Sequence, residues 1–356
     1  MEQERNKRLI PPTTLSFITT DKCTAACKNC CFKCNPRNNT RLSLQVMKNH
    51  IDEAVKSYPT IKSLVLTGGE CFTLGEDLFT IISYASQKGL LSRVVTNAYW
   101  ASTFKKAYKM IEKLQNVGLH ELNISTGDEH LEWVPFDNVV NVIAASILLK
   151  MIIVVNVESS EFKDFKKDWI LEDPRLKKYD LMHCENLYIV NGRWVYFGDQ
   201  EKQSGEEQKN VLLSNISNQR CTSLFYSLSI NYDNTAIACC GITSLCNNYM
   251  YLGNARKYLL KDLYEYQFDD FVKIWLFTEG PLQILNFCLE HRNKPKFSGN
   301  LHMCQICAMI FNDPDNVKIL KEHYSERVQK VYFEYSLLKR KYVKSLNLSY
   351  QNEKQT

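Results

Sequence analysis

The chain has 356 residues, 45% of them hydrophobic and 23% charged, with a formal net charge of +5. This composition suits one large globular domain, or one domain plus a smaller one, and argues against disorder away from the ends. The charge is too mild to imply a nucleic-acid partner, and no apolar run reaches the ~18 residues that a membrane-spanning helix needs.

Residues 1–14 are a polar extension, MEQERNKRLIPPTT, with no apolar signal core; the expectation is a cytoplasmic protein with no membrane partner. From there to about residue 190, β-branched runs alternate with amphipathic segments. Strands are predicted at 15–20, 63–70, 92–100, 120–126, 151–158 and 185–190. Helices are predicted at 44–58, with Ser43 as N-cap, and at 76–88, 103–117, 137–149 and 161–171. Such alternation implies parallel βαβ units. Six units without a G-x-G-x-x-G motif suit an α/β fold of the partial (β/α)6 barrel type over 15–197 better than a dinucleotide fold.

The pattern then changes. Residues 198–210 are charged and turn-rich and read as a linker. The run 227–241 contains two short β stretches around Asp233-Asn234, which predicts a hairpin. Two helical stretches and the motif LHMCQIC at 301–307 complete a smaller second domain, 198–312. Residues 313–356 read as a basic helix and tail, the helix spanning 316–346, with eight Lys/Arg against three Glu between Lys318 and Lys344.

Fourteen cysteines stand out in this chain, and they cluster. In a reducing compartment clustered thiols read as metal ligands or catalysts. Cys23-x3-Cys27-x2-Cys30 follows the first predicted strand. Three thiolates in a short loop can bind three irons of a [4Fe–4S] cube and leave the fourth iron open. A zinc knuckle is the other reading, although zinc sites favour paired C-x2-C units and a closed fourth position. Thr67-Gly68-Gly69-Glu70 ends the second strand about 40 residues later. Its glycines allow close backbone approach to a ligand, and Glu70 or nearby carbonyls can accept an ammonium group. Cys31 and Cys34 crowd the same loop and read as packed or free thiols.

CTAACKNC, the GGE turn and the βα alternation together resemble the radical S-adenosylmethionine (SAM) superfamily over about residues 15–190. The resemblance implies a partial barrel with a SAM-binding [4Fe–4S] cluster at its mouth, held by Cys23, Cys27 and Cys30, and SAM held by Gly68, Gly69 and Glu70. It adds Asn97 and Ser125, at the ends of strands three and four, as further SAM contacts. The position before the third cysteine is often aromatic in this family and is Asn29 here.

Cys221, Cys239, Cys240, Cys304 and Cys307 form a second group. Four thiolates can close a whole [4Fe–4S] cube or a tetrahedral zinc site, and spacing does not separate the two. Adjacent strand residues point to opposite faces, so one of Cys239 and Cys240 can ligate while the other faces elsewhere; Cys239 is the expected ligand, and Cys240 is either a thiol facing the barrel mouth or a small buried hydrophobe. The order of Cys, hairpin, Cys and later C-x2-C is similar to the SPASM or shorter twitch domains of peptide-modifying radical SAM enzymes. That implies one auxiliary [4Fe–4S] cluster on Cys221, Cys239, Cys304 and Cys307.

Closer still, CTAACKNCCFKCNP, LTGGE, Asn97 with Tyr99-Trp100, His130, Ala-Cys-Cys-Gly and CQICAMIFN resemble the radical SAM peptide epimerases that make epipeptides. In that family a 5′-deoxyadenosyl radical removes a Cα hydrogen and a cysteine thiol returns one to the other face. The donor falls on Cys240. Members often carry Asp two residues after the strand-four serine; Gly127 stands there and Asp128 follows. The expectation is an L-to-D peptide epimerase acting on a ribosomally made precursor peptide, with an electron donor such as flavodoxin or ferredoxin as second partner. Peptide cross-linking and a non-catalytic zinc or iron–sulfur binding protein are the alternatives.

Overall fold

The β-branched runs of the first half each place branched side chains where a pleated strand packs them best. In the computed structural model, which describes residues 2–159, 167–193, 219–242, 244–299 and 301–353, they form six strands. These are β1 Thr14–Ile18, β2 Ser63–Thr67, β3 Leu91–Thr96, β4 Leu119–Gly127, β5 Ile152–Ser159 and β6 Leu187–Arg193. All five neighbouring pairs are parallel and in chain order. Helices Leu44–Ser57, Glu76–Gln87, Phe104–Asn116 and Phe136–Leu149 connect them.

Two periodicities explain the layering. On the first of these helices Met47, Ile51 and Ala54 recur at helical spacing and are buried, and the Ser43 side chain caps it by accepting from the Val46 N–H. On the strands the period is two. Leu15, Phe17, Leu64, Leu66, Leu122, Ile124, Ile153 and Val155 alternate with other residues and are fully buried in the core. The intervening positions include Ser16, Thr67, Glu121, Ser125, Asn156 and Glu158 beside Ile18, Val65 and Val154, so the other face of the sheet is mixed in polarity. A closed barrel fills its interior with branched side chains; this face instead opens onto cavities.

The second half continues the same sheet. β7 Ser227–Ile230 pairs in parallel with the free edge of β1. β8 Thr235–Ile237 returns antiparallel to β7, and β9 Tyr251–Asn254 pairs with β8. The order is β6-β5-β4-β3-β2-β1-β7-β8-β9. Asn234 turns the predicted hairpin with φ +69°, a left-handed conformation Asn tolerates, while the Asp233 carboxylate accepts from the Thr235 N–H at 2.9 Å.

The motif at 301–307 lies on a helix, Met303–Asn312. The helix expected over 316–346 is instead two helices, Pro314–His323 and Val328–Glu353, separated by a single tighter turn, Tyr324–Arg327. The break redirects the last helix so that Val331 and Tyr335 reach the core. There the Tyr335 hydroxyl donates to the Arg8 carbonyl at 2.6 Å and Tyr342 to that of Pro11, tying the two ends of the chain together. The predicted linker 198–210, the boundary at 197/198 and the start of the helix predicted at 161–171 lie outside the described residues; of that helix, Lys167–Glu172 is described. Among the described residues no helix is long and apolar enough to cross a membrane.

Candidate active site

β1 stops at Ile18, and the chain enters the cysteine loop at the C-terminal ends of the parallel strands. Several of the hydrogen bonds that hold this loop do not involve its sulfurs. The Thr20 hydroxyl donates to the Thr40 carbonyl at 2.8 Å, and the Cys23 N–H to that of Asn35 at 3.2 Å. Beyond the end of β4, the buried Glu129 carboxylate accepts the Asn29 backbone N–H at 2.8 Å and the Asn29 side-chain amide as well. Asn29, where an aromatic residue was expected from the resemblance, is thus the anchor of the loop.

Cys23, Cys27 and Cys30 face one cavity of about 140 Å³, whose walls include Gly68, Gly69, Asn97 and Ser125. The glycines let the end of β2 press against the loop. A Cβ on Gly69 would lie 2.1 Å from the Lys22 carbonyl oxygen, and one on Gly68, at φ +135°, 2.7 Å from that of Thr20. The Gly69 N–H donates to the Thr20 carbonyl at 2.7 Å and the Glu70 N–H to that of Lys22 at 2.8 Å.

The Glu70 side chain lies behind this wall, fully buried. One oxygen accepts from the Phe72 N–H at 3.1 Å and the Thr96 hydroxyl at 2.9 Å, the other from the Asn97 N–H at 2.9 Å. Burial lifts its pKa to about 7, against the pull of these three hydrogen bonds. Glu70 therefore fixes Asn97, whose amide nitrogen donates to the Thr24 hydroxyl at 3.0 Å and sits 3.8 Å from the Cys23 sulfur. Glu70→Ala should lower stability by about 2–4 kcal/mol, because it strands buried donors, and thermal unfolding of the apoprotein measures this.

Burial pushes the Cys23 thiol up to about 11 and raises that of Cys27 further. Cys30 is the exception, held down at about 6 chiefly by a hydrogen bond from Cys34. Three sulfurs in one pocket that resist ionising together are a set that a cationic centre completes. His130 and Glu158 share the cavity wall, with His130 Nδ1 3.0 Å from Glu158 Oε2. Burial works against the charged imidazole, yet the Glu158 carboxylate outweighs it and leaves the His130 pKa raised. Glu129 and Glu158 were not singled out from the sequence. The only signal was position: Glu158 lies near the end of β5 and pairs in register with Gly127 on β4.

Cys221, Cys239, Cys304 and Cys307 converge on a second, small cavity of about 30 Å³. Cys304 and Cys307 are three apart on helix Met303–Asn312 and so share a face. His302 caps that helix, accepting from the Cys304 N–H at 3.2 Å. The Asn247 amide donates to Cys307 Sγ at 3.5 Å. Gly241 passes close to the set: a Cβ there would lie in ordinary contact with the Cys304 sulfur at 3.4 Å and with that of Cys239 at 3.6 Å. Burial raises the pKa values of Cys221, Cys239 and Cys307.

Cys239 is buried among these sulfurs, whereas Cys240 is exposed and opens onto a different cavity of about 490 Å³. That cavity is lined by Ser16, Ser63, Val65, Arg93 and Glu121 from β1 to β4, with Arg93 Nε 2.6 Å from Glu121 Oε1. Ser63 and Val65 line this cavity and Thr67 lines the three-cysteine cavity. Those three residues alternate along one strand, and each two-residue step is about 6.6–6.8 Å. The two cavities are therefore two depths of the same face: the three cysteines at the C-terminal ends of the strands, and Cys240 towards their starts rather than at the barrel mouth expected from the sequence, because residue 240 follows β8 beside the start of β7.

No protein-family model and no curated protein sequence matches the chain. Solved structures do. A structure of affinity-tagged anSMEcpe with bound AdoMet superposes with a TM-score of 0.51 at 13% identity, covering 90% of this chain and 99% of that one. Native anSMEcpe with bound AdoMet and a peptide gives 0.50 at 13% identity, covering 95% and 99%. A likeness at this identity establishes architecture, and the architecture agrees with the parallel strand order and the C-terminal helical part described above. The chain has the fold of the radical SAM enzymes.

Proposed function

We propose that this chain is a radical SAM peptide epimerase, converting L-residues of a ribosomally made peptide to D-residues. One observation carries the reading: the exposed thiol of Cys240 lies on the same face as the three-cysteine cavity, at a different depth. Inverting a carbon centre needs hydrogen removal on one side and hydrogen return on the other, and two groups at separate depths of one groove suit that requirement.

The residues present fit the groups the fold implies. Cys23, Cys27 and Cys30 would hold three irons of a [4Fe–4S] cluster, with SAM against Gly68, Gly69, Asn97 and Ser125 in the same cavity. Glu70, behind the wall, would act on SAM through Asn97. When bound, this pair would supply one-electron radical chemistry able to remove a hydrogen from the Cα of a peptide residue. Cys221, Cys239, Cys304 and Cys307 would hold an auxiliary [4Fe–4S] cluster, whose chemistry is one-electron transfer. Cys240 Sγ–H gives its hydrogen atom to the Cα radical from the far side, and one electron and one proton restore the thiol. The cavity at Cys240 seats the peptide, and the Arg93–Glu121 pair in its wall offers both a donor and an acceptor to a peptide backbone. A flavodoxin or ferredoxin serves as the outside electron donor. The barrel spans 15–197, the auxiliary part 198–312 and the terminal helices 313–356.

Anaerobic assay with SAM, reductant and a candidate short precursor peptide tests this. The expected products are 5′-deoxyadenosine and a peptide of unchanged mass in which chiral amino-acid analysis finds D-residues. A product lighter by two hydrogens would assign cross-linking instead. Cys307→Ala should lose about four irons and part of its solubility, because ligand and fold are coupled at a buried site, while keeping the SAM-binding iron. Zinc in that site together with full activity would remove the electron-transfer role.

A further inference from the structure

His291 ends helix Pro281–His291, His323 ends helix Pro314–His323, and Glu326 lies in the turn that follows. One ligand atom from each lies within 4.8 Å of the others. His291 Nε2 is 3.2 Å and His323 Nδ1 is 2.9 Å from the same oxygen, Glu326 Oε1. The two imidazole rings are 4.3 Å apart.

The other nitrogen of His291, Nδ1, lies 3.0 Å from the Phe287 carbonyl oxygen. A carbonyl only accepts, so Nδ1 carries the proton. In the neutral ring Nε2 is then a lone pair aimed at a carboxylate oxygen. Two arrangements resolve that clash: a second proton, which the Phe287 carbonyl and the Glu326 carboxylate favour by holding the His291 pKa above its ordinary value, or a cation among the three atoms. A backbone carbonyl that fixes the tautomer of a histidine is the support that metal-ligating histidines usually carry. The spacings of the two rings from Glu326 Oε1, 3.2 and 2.9 Å, also fit. Bonds of about 2.0–2.1 Å to a tetrahedral ion put neighbouring ligand atoms about 3.3 Å apart. The nearby basic residues are engaged elsewhere, Arg292 with Asp313 and Asp315 and Arg327 with Glu279.

We infer that His291, His323 and Glu326 form a binding site for a divalent transition metal of the zinc class, separate from both cysteine sets. Two nitrogens and one carboxylate oxygen suit such an ion, with one position left to water. The metal fastens the ends of two helices that each pack against Met303–Asn312, the helix bearing Cys304 and Cys307. It also holds the turn at which the chain breaks before its last helix.

The test uses the iron-loaded holoenzyme, anaerobically incubated with excess zinc and then desalted. Wild type should retain one more equivalent of zinc than His323→Ala or Glu326→Gln, at equal iron content. Its zinc X-ray absorption should contain a nitrogen/oxygen shell near 2.0–2.1 Å that the variants lack, distinct from sulfur near 2.3 Å. Glu326→Gln, at an exposed position, keeps the measurement valid should a histidine variant misfold. Equal zinc in wild type and both variants, or sulfur-bound zinc alone in wild type, would overturn the site and leave an ion-paired cluster in its place.

Discussion

Replacing Cys23, Cys27 and Cys30 together with Ala should abolish 5′-deoxyadenosine formation and remove about half of roughly eight irons. The loss should be chemical rather than structural. The loop is held by Thr20, Asn29 and the Gly69 and Glu70 N–H groups, none of which depends on a sulfur. The four-cysteine site is built from the end of β8, its neighbours and helix Met303–Asn312, well separated in sequence from the loop. The variant should therefore keep its circular dichroism and the iron of the second site. A triple variant that still cleaves SAM would show that the three-cysteine cavity is not where that reaction happens.

Cys240→Ala should divide the reaction in two. Its sulfur belongs to the 490 Å³ cavity and not to the four-cysteine set, so both iron sites should fill normally. SAM cleavage and hydrogen removal should continue. Return of hydrogen from the far side should not, and D-residue formation should fall to the background set by adventitious quenching. The peptide radical should persist or be quenched by reductant. Cys240→Ser should behave like Cys240→Ala, because a hydroxyl holds its hydrogen atom too strongly to give it to a carbon radical. Equal loss of 5′-deoxyadenosine and of D-residues in these variants would mean that Cys240 is needed before the chemistry, not within it.

Much of this molecule is legible in its sequence, where the signal is periodic or clustered. Runs of β-branched residues placed the six strands, helical spacing with Ser43 as cap placed the helix at Leu44, and cysteine spacing picked out two thiol sets that the fold brings together. What the sequence does not carry is non-local. The pairing of β7 with β1 joins residues more than 200 positions apart, and nothing in SLSI states which edge it seeks. GGE marks a close approach, but not that the Glu70 carboxylate turns behind the wall to hold Asn97. Glu129 and Glu158 are single carboxylates without a spacing signature, so only the folded chain shows one anchoring the cysteine loop and the other facing His130. The break at Tyr324–Arg327 has no proline or glycine to announce it. Burial of Val331 and Tyr335, a tertiary preference, decides it.

The central claim is that Cys240 delivers the hydrogen that sets the new configuration. A thiol proton exchanges with solvent, whereas the hydrogen lost from Cα does not return. Wild-type enzyme turned over in deuterated water should therefore give a peptide about one mass unit heavier per inverted residue, with deuterium on the inverted carbon and none elsewhere. Cys240→Ala should give no such product. Deuterated D-residues from Cys240→Ala, or a wild-type product lighter by two hydrogens, would contradict the account.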